Sequence, residues 1–194
     1  MIVALNIGLN GLLMGLVYGL MALGLSVVFG ITRIVNFAHG EILVLGGLLI
    51  VTCSHVLQIN PLIILPFLAL ALFVGGYVLQ QKIINRLLRT SDHGQFIALS
   101  AIGIILLNLQ LSIFGSQSQS ILTFYNLNSV SVGPLLIDFM RLLAAGVALA
   151  TTAILFYFFY YTSTGKAIRA CTDNRLAAQA IGLDHRRLYA LSFG

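Results

Sequence analysis

The sequence predicts an all-α membrane protein. It reads as a polytopic helical bundle of about five transmembrane segments plus the start of a sixth, with a broken helix near residues 32–41 and a short cytoplasmic helix. Three observations carry this. Hydrophobic residues make up 59% of the chain and charged residues only 8%, whereas soluble domains run near half apolar and about a quarter charged. Mean hydropathy is +1.04, and the apolar residues gather in runs near the roughly 20 residues that a spanning helix needs. The cations cluster in short segments between those runs, as the positive-inside rule describes for loops at one membrane face. A net charge of +5 and a pI of 9.6 therefore fit topology and contact with anionic lipid. They do not indicate a nucleic-acid partner, which needs a continuous basic footprint.

Residues 5–31 form the first segment. Residues 1–32 carry no charged side chain; without a basic n-region, and too long for a cleavable apolar core, they read as a retained span. Gly11, Gly15 and Gly19 recur at every fourth position, just after Gly8, which smooths one helix face for close packing by a neighbour. The apolar run breaks at residues 32–41, TRIVNFAHGE, and resumes over residues 42–57. One helix over residues 5–57 would be about 80 Å long, far beyond roughly 30 Å of hydrocarbon, so the chain turns at the break. Arg33, Asn36, His39 and Glu41 sit there with almost no spacer. Charged groups at mid-bilayer cost about 2.5–3.5 kcal/mol on insertion scales, so these side chains need an interface, a partner or a wet path. Two readings stand on the residues alone. One is a cytoplasmic turn with Arg33 snorkelling to the headgroups. The other is a discontinuous helix of the kind that lines transport pathways. His39 and Glu41 have no third ligand nearby, so a metal is not indicated; a proton relay stays open.

Residues 42–57 make the second segment, with Gly46 and Gly47 inside it and Cys53 and His55 near its end. Asn60 and Pro61 mark a turn. The third span covers residues 62–79, with Gly75 and Gly76 allowing close packing; Lys82, Arg86 and Arg89 follow as one basic face. The fourth span runs over residues 95–114, and Asn108, Gln110 and Ser112 are polar enough to face protein or a cavity. Residues 115–133 hold no Lys or Arg and read as an external loop with a short hairpin around 121–132. Pro134 precedes a fifth span at about residues 135–161. Asp138 and Arg141 are three apart near its outer end and suit an ion pair; Tyr157, Tyr160 and Tyr161 form an aromatic belt at its inner end. Residues 188–194 begin a sixth segment. Counting spans puts the N-terminus outside and the basic clusters inside. Cys53 and Cys171 then fall too far apart for a disulfide. No internal repeat, zinc pattern, phosphate loop or nucleophile constellation is visible.

Residues 162–187, TSTGKAIRACTDNRLAAQAIGLDHRR, hold Lys166, Arg169, Arg175, Arg186 and Arg187, five of the ten Lys and Arg residues. Lying between apolar runs, they form a loop at the cytoplasmic face. Asp173 fits an N-cap, Asn174 opens a run of helix formers to Ile181, and Gly182 fits a left-handed C′ residue. Ala177, Ala178 and Ala180 leave this helix almost bare of side chains, so another protein can approach closely. The bland alternative is a solvated basic loop on lipid headgroups.

Two stretches carry a family resemblance. Residues 34–41, Ile-Val-Asn-Phe-Ala-His-Gly-Glu after a glycine-rich first helix, resemble the start of the branched-chain amino acid ABC transporter permeases of the high-affinity Liv system. Residues 162–184 look like that family's ATPase-coupling loop. With the span order, the resemblance covers essentially the whole chain. It implies one permease subunit of an importer for branched-chain or other neutral amino acids in the bacterial inner membrane. Its implied partners are a second permease subunit or a second copy of the chain, two cytoplasmic ATPase subunits and a periplasmic substrate-binding protein. Residues 173–182 would be the coupling helix, and Asn36, Phe37, His39, Gly40 and Glu41 would line or brace the translocation path. No Walker motif is present, so ATP hydrolysis is expected on the partners, and no cofactor is implied. Relatives of this kind also carry amides or urea, and they continue with further spans. The chain is thus expected to be the N-terminal part of a single longer permease domain. The rivals are an ion- or proton-coupled carrier or channel using His39 and Glu41, and an inactive fragment.

Overall fold

The computed structural model describes residues 2–32, 36–87, 92–120, 129–132, 135–180 and 182–194. Arg33, Ile34 and Val35 of the break, Arg89, positions 121–128 of the loop, Pro134 and Ile181 lie outside the described residues. Five described helices are long and apolar enough to cross a membrane. They are α1 (Ile2–Thr32), α2 (His39–Leu57), α3 (Pro61–Leu79, prolonged by a π-helical turn at Gln80–Ile84 and the short α4 at Asn85–Leu87), α5 (Asp92–Phe114) and α6 (Phe139–Tyr161). Helices pair their backbone polar groups within themselves, which hydrocarbon demands; the exception inside α3 is Pro66, which has no N–H to donate. Large apolar side chains such as Leu12, Phe67, Ile105 and Ile154 are exposed. The chain is a multi-pass, all-α membrane protein with one small addition.

That addition is an antiparallel ribbon: β1 (Ser129–Val132) pairs with β2 (Leu135–Asp138), Ser129 opposite Asp138 and Val132 opposite Leu135. The sequence reading set the hairpin too early and began the fifth span at residue 135. A short run such as Leu-Leu-Ile reads equally well as helix or strand, and here pairing with β1 decides for strand. Asp138 then ends β2 and caps α6, its Oδ1 accepting from the Met140 amide at 2.9 Å.

The chain divides into two units, residues 1–26 with 122–165 and residues 27–121 with 166–194. In the first, Arg141 lies 3.7 Å from Asp138, the pairing expected from their spacing. Its Nη1 donates to Asn10 Oδ1 at 3.3 Å, and Asn10 Nδ2 donates to Asn6 O and Oδ1, both at 2.9 Å. This polar bridge borders an open groove of about 720 Å³ lined by Val3, Ile7 and Met14. At Gly11, Gly15 and Gly19 nothing beyond the helix's own backbone comes within 4 Å of where a Cβ would stand; among the described residues the smooth face has no packing neighbour.

In the second unit α2 and α3 form a hairpin. Gln58 turns with φ of 55°, and Asn60 caps α3, accepting from the Leu62 amide at 3.0 Å ahead of Pro61. The helices pack where Gly46 meets Leu72, whose Cδ1 would lie 3.1 Å from an added Cβ. Of the glycine pair in α3, Gly76 is closely packed and Gly75 is open. Three further helices complete the chain: α7 (Ser163–Asp173), α8 (Arg175–Ala180) and α9 (His185–Phe193).

Candidate functional site

The described part of the break, from Asn36 to His39, is a built turn. Asn36 Oδ1 accepts from the Ala38 amide at 3.1 Å, and the Asn36 carbonyl accepts from the His39 amide at 3.2 Å. The short Asn side chain thereby mimics a backbone turn. Asn36 and Ala38 are buried. Helix α5 braces the turn at three points. At Gly103 the turn backbone lies alongside the helix, with room for one carbon: a Cβ there would be 3.5 Å from the Phe37 carbonyl oxygen. The rings of Phe37 and Phe96 meet edge-to-face at 4.8 Å. Gln110 Nε2 donates to the Glu41 carbonyl at 3.0 Å. Phe37 and Gly40 are exposed, while His39 and Glu41 are half-buried.

Phe96 and Gly103 were missed from the sequence, and Gln110 was singled out together with Asn108 and Ser112. Only Gln110 faces protein. Asn108 is exposed and donates to its own helix at Ile104 O, 2.8 Å away, and Ser112 is exposed. At about 100° per residue, position 110 lies on the opposite side of the helix from 108 and 112.

The basic segment after α6 is three capped helices. Thr162 Oγ1 donates to Phe158 O at 2.6 Å and accepts from the Gly165 amide at 3.0 Å, capping α7. Gly165 is required, because a Cβ there would overlap the Phe158 carbonyl and stand 2.6 Å from Phe159 Cα. In α7, Ile168 and Cys171 are buried while Lys166, Arg169 and Asp173 are exposed. The sequence reading took this half for loop; the signals were Thr162 three residues before Gly165 and the inward spacing of Ile168 and Cys171.

Asp173 is the last residue of α7, and Asn174 N still donates to Ala170 O at 3.1 Å. The cap of α8 is therefore Asn174 in place of Asp173: its Oδ1 accepts from the Ala177 amide at 3.0 Å. At the other end Gly182 has φ of +84°, and Leu183 N closes back on Ala178 O at 3.1 Å, the long bond of a Schellman ending. Ala177 and Ala180 are exposed, but Ala178 is 2% exposed. The bare face is thus narrower than the sequence suggested, because position 178 turns inward. Asp184 starts α9, its Oδ1 accepting from the Arg187 amide at 3.4 Å and its Oδ2 lying 3.2 Å from Arg187 Nε. No group of three or more His, Cys, Asp or Glu stands ready for a metal among the described residues.

Five apolar spans, a helix break braced by a neighbouring span and a helical basic segment outside the spans make this a polytopic membrane protein, and its family match is to the permease class. Residues 7–194 match the family described as "Branched-chain amino acid transport system / permease component", and the chain belongs to that family. It is similar to the high-affinity branched-chain amino acid transport system permease protein BraD of Pseudomonas aeruginosa, 28% identical over 95% of this chain and 64% of the relative. The LivH permease protein of the same kind of system in Escherichia coli K12 is 30% identical over the same shares. A probable branched-chain amino acid transport permease protein LivH of Methanocaldococcus jannaschii is 27% identical over 85% of this chain and 54% of the relative. The chain thus spans a little under two thirds of the length of the first two. No solved structure gives a significant match.

Proposed function

We propose that this chain acts as a membrane-spanning permease subunit of an ATP-driven importer for branched-chain or other neutral amino acids. It belongs to the bacterial inner membrane, with the basic segment in the cytoplasm and the N-terminus outside. It hydrolyses nothing itself. Two ATPase subunits engage α8 from the cytoplasm, a second permease subunit or a second copy completes the path, and a periplasmic binding protein delivers the cargo. The Asn36–Glu41 turn braces the path where α1 gives way to α2.

The observation that carries this reading is α8 itself. It is closed at both ends by its own capping bonds and shows two exposed alanines, Ala177 and Ala180. The two exposed alanines offer a partner a close approach with no side-chain entropy of their own to lose on binding. Family membership supplies the kind of partner.

The test is co-purification of the ATPase subunits from membranes together with labelled amino acid uptake. Association and ATP-dependent uptake support the reading. Uptake that survives without the ATPases and collapses with the proton gradient overturns it in favour of a carrier using His39 and Glu41.

A further inference from the structure

The second unit holds a helical irregularity that crossing a membrane does not require. Between α3 and α4, residues Gln80–Ile84 wind as a π-helix. Such turns are rare and recur at functional positions. This one encloses an amide: Gln80 is fully buried, its Nε2 donates to Asn85 Oδ1 at 3.2 Å across the turn, and its Oε1 has no hydrogen-bond partner. A buried carbonyl oxygen without a donor is the kind of group that a change of register would relieve.

Helix α9 lies against this turn and runs back along α3. Their crossing is glycine on glycine. A Cβ on Gly76 would stand 3.1 Å from Gly194 Cα, and a Cβ on Gly194 would stand 2.5 Å from Phe73 O. Ile84 of the π-turn and Tyr189 and Ala190 of α9 are buried. Helix α9 also adjoins α8, joined by the short link whose ends are tied by the Leu183–Ala178 and Asp184–Arg187 bonds. A path of direct packing thus runs from the exposed alanines of α8, through α9, to the π-turn below the third span. Close-packed contacts of this kind transmit strain. The π-turn carries one residue more than a regular turn and can absorb it.

We propose that α9 and the π-turn Gln80–Ile84 relay motion of α8 into the third span, with Gln80 as the positioning residue that holds the turn in its widened register. This rests on the reading of α8 as the ATPase-docking helix. As α8 and α9 shift together, the π-turn tightens or migrates, and α3 rotates relative to its cytoplasmic end.

The test uses the complete transporter in proteoliposomes, measuring ATP hydrolysis and amino acid uptake side by side. Deleting Gln81, an exposed residue of the π-turn, removes the spare position and leaves a regular helix. Gly76→Ala, whose added carbon pushes Gly194 by a few tenths of an ångström, probes the crossing without a large folding penalty. For both variants the ATPases remain bound, hydrolysis stays within about twofold of the parent, and uptake per ATP falls at least tenfold. An unchanged ratio of uptake to hydrolysis in both overturns the relay, and so does a parallel loss of both rates together with protein abundance. If the unaltered chain fails to hold the ATPases, the docking reading itself fails. If it holds them and the variants stay coupled, only the relay fails.

Discussion

The side-chain amide of Gln110 donates to the backbone carbonyl of Glu41 at 3.0 Å, tying the C-terminal end of one span to the first turn of another. The two positions are 69 residues apart in the chain. The bond sits where the polar break enters the bundle, and it leaves Gln110 Oε1 buried without a partner. One amide thus contributes one good bond and one unsatisfied oxygen.

Removing both at once should therefore be mild. Gln110→Leu is expected to change stability by no more than about 1 kcal/mol, in line with measured interhelical bonds in membranes. Gln110→Glu places a charge in the same buried position and is expected to cost more than the leucine variant. Thermal unfolding followed by size-exclusion chromatography in detergent checks the order; a leucine variant weaker than the glutamate variant would contradict it.

At Gly103 the room is for one carbon. A Cβ would meet the Phe37 carbonyl at 3.5 Å and Ala38 Cα at 3.6 Å, ordinary contact distances. Gly103→Ala is expected to keep both abundance and uptake. Gly103→Leu drives a branched side chain into the turn backbone, at a cost of about 1–3 kcal/mol from overpacking. Uptake by the leucine variant should fall, with the midpoint of thermal unfolding lowered alongside.

The corner between α6 and α7 is less forgiving. Gly165→Ala sets a Cβ 2.6 Å from Phe159 Cα, against backbone that cannot swing aside. Thr162→Val removes both hydroxyl bonds of the cap and is expected to cost about 1 kcal/mol. The glycine variant should cost more than the threonine variant. Proteolysis of the segment following α6 in inside-out vesicles reports the loss of α7 in each.

Neighbouring alanines in α8 should behave differently. Ala177→Arg adds a charge to an exposed position and is expected to abolish ATPase co-purification while abundance stays unchanged. Ala178 is buried, so Ala178→Arg disrupts α8 where it packs and lowers abundance as well. If the two variants lose association with equal and normal abundance, position 178 faces the partner after all.

Much of this was legible in the chain alone. The number of spans, the turn at Asn36, the Asp138–Arg141 pair and the left-handed residue at Gly182 all follow from local signals. The neighbours of those residues were not legible. Phe96 and Gly103 carry no local mark, because an aromatic or a glycine inside an apolar helix looks the same whether it touches lipid or a turn. The π-turn at Gln80–Ile84 is equally silent: Gln-Gln-Lys-Ile-Ile reads as ordinary helix leaving a membrane.

What the amino-acid order determined by itself was everything set along one dimension: where apolar length suffices to cross lipid, and where cations, caps and glycines stop a helix. Rotation about each helix axis was decided only by folding. That Gln110 turns inward and Asn108 outward, that Ala178 is covered while Ala177 is not, and that Asn174 and not Asp173 opens α8 depends on which neighbour supplies a contact. In lipid most faces of a span are equally apolar, so a helix's own composition exerts little torque, and the partner it packs against chooses the face.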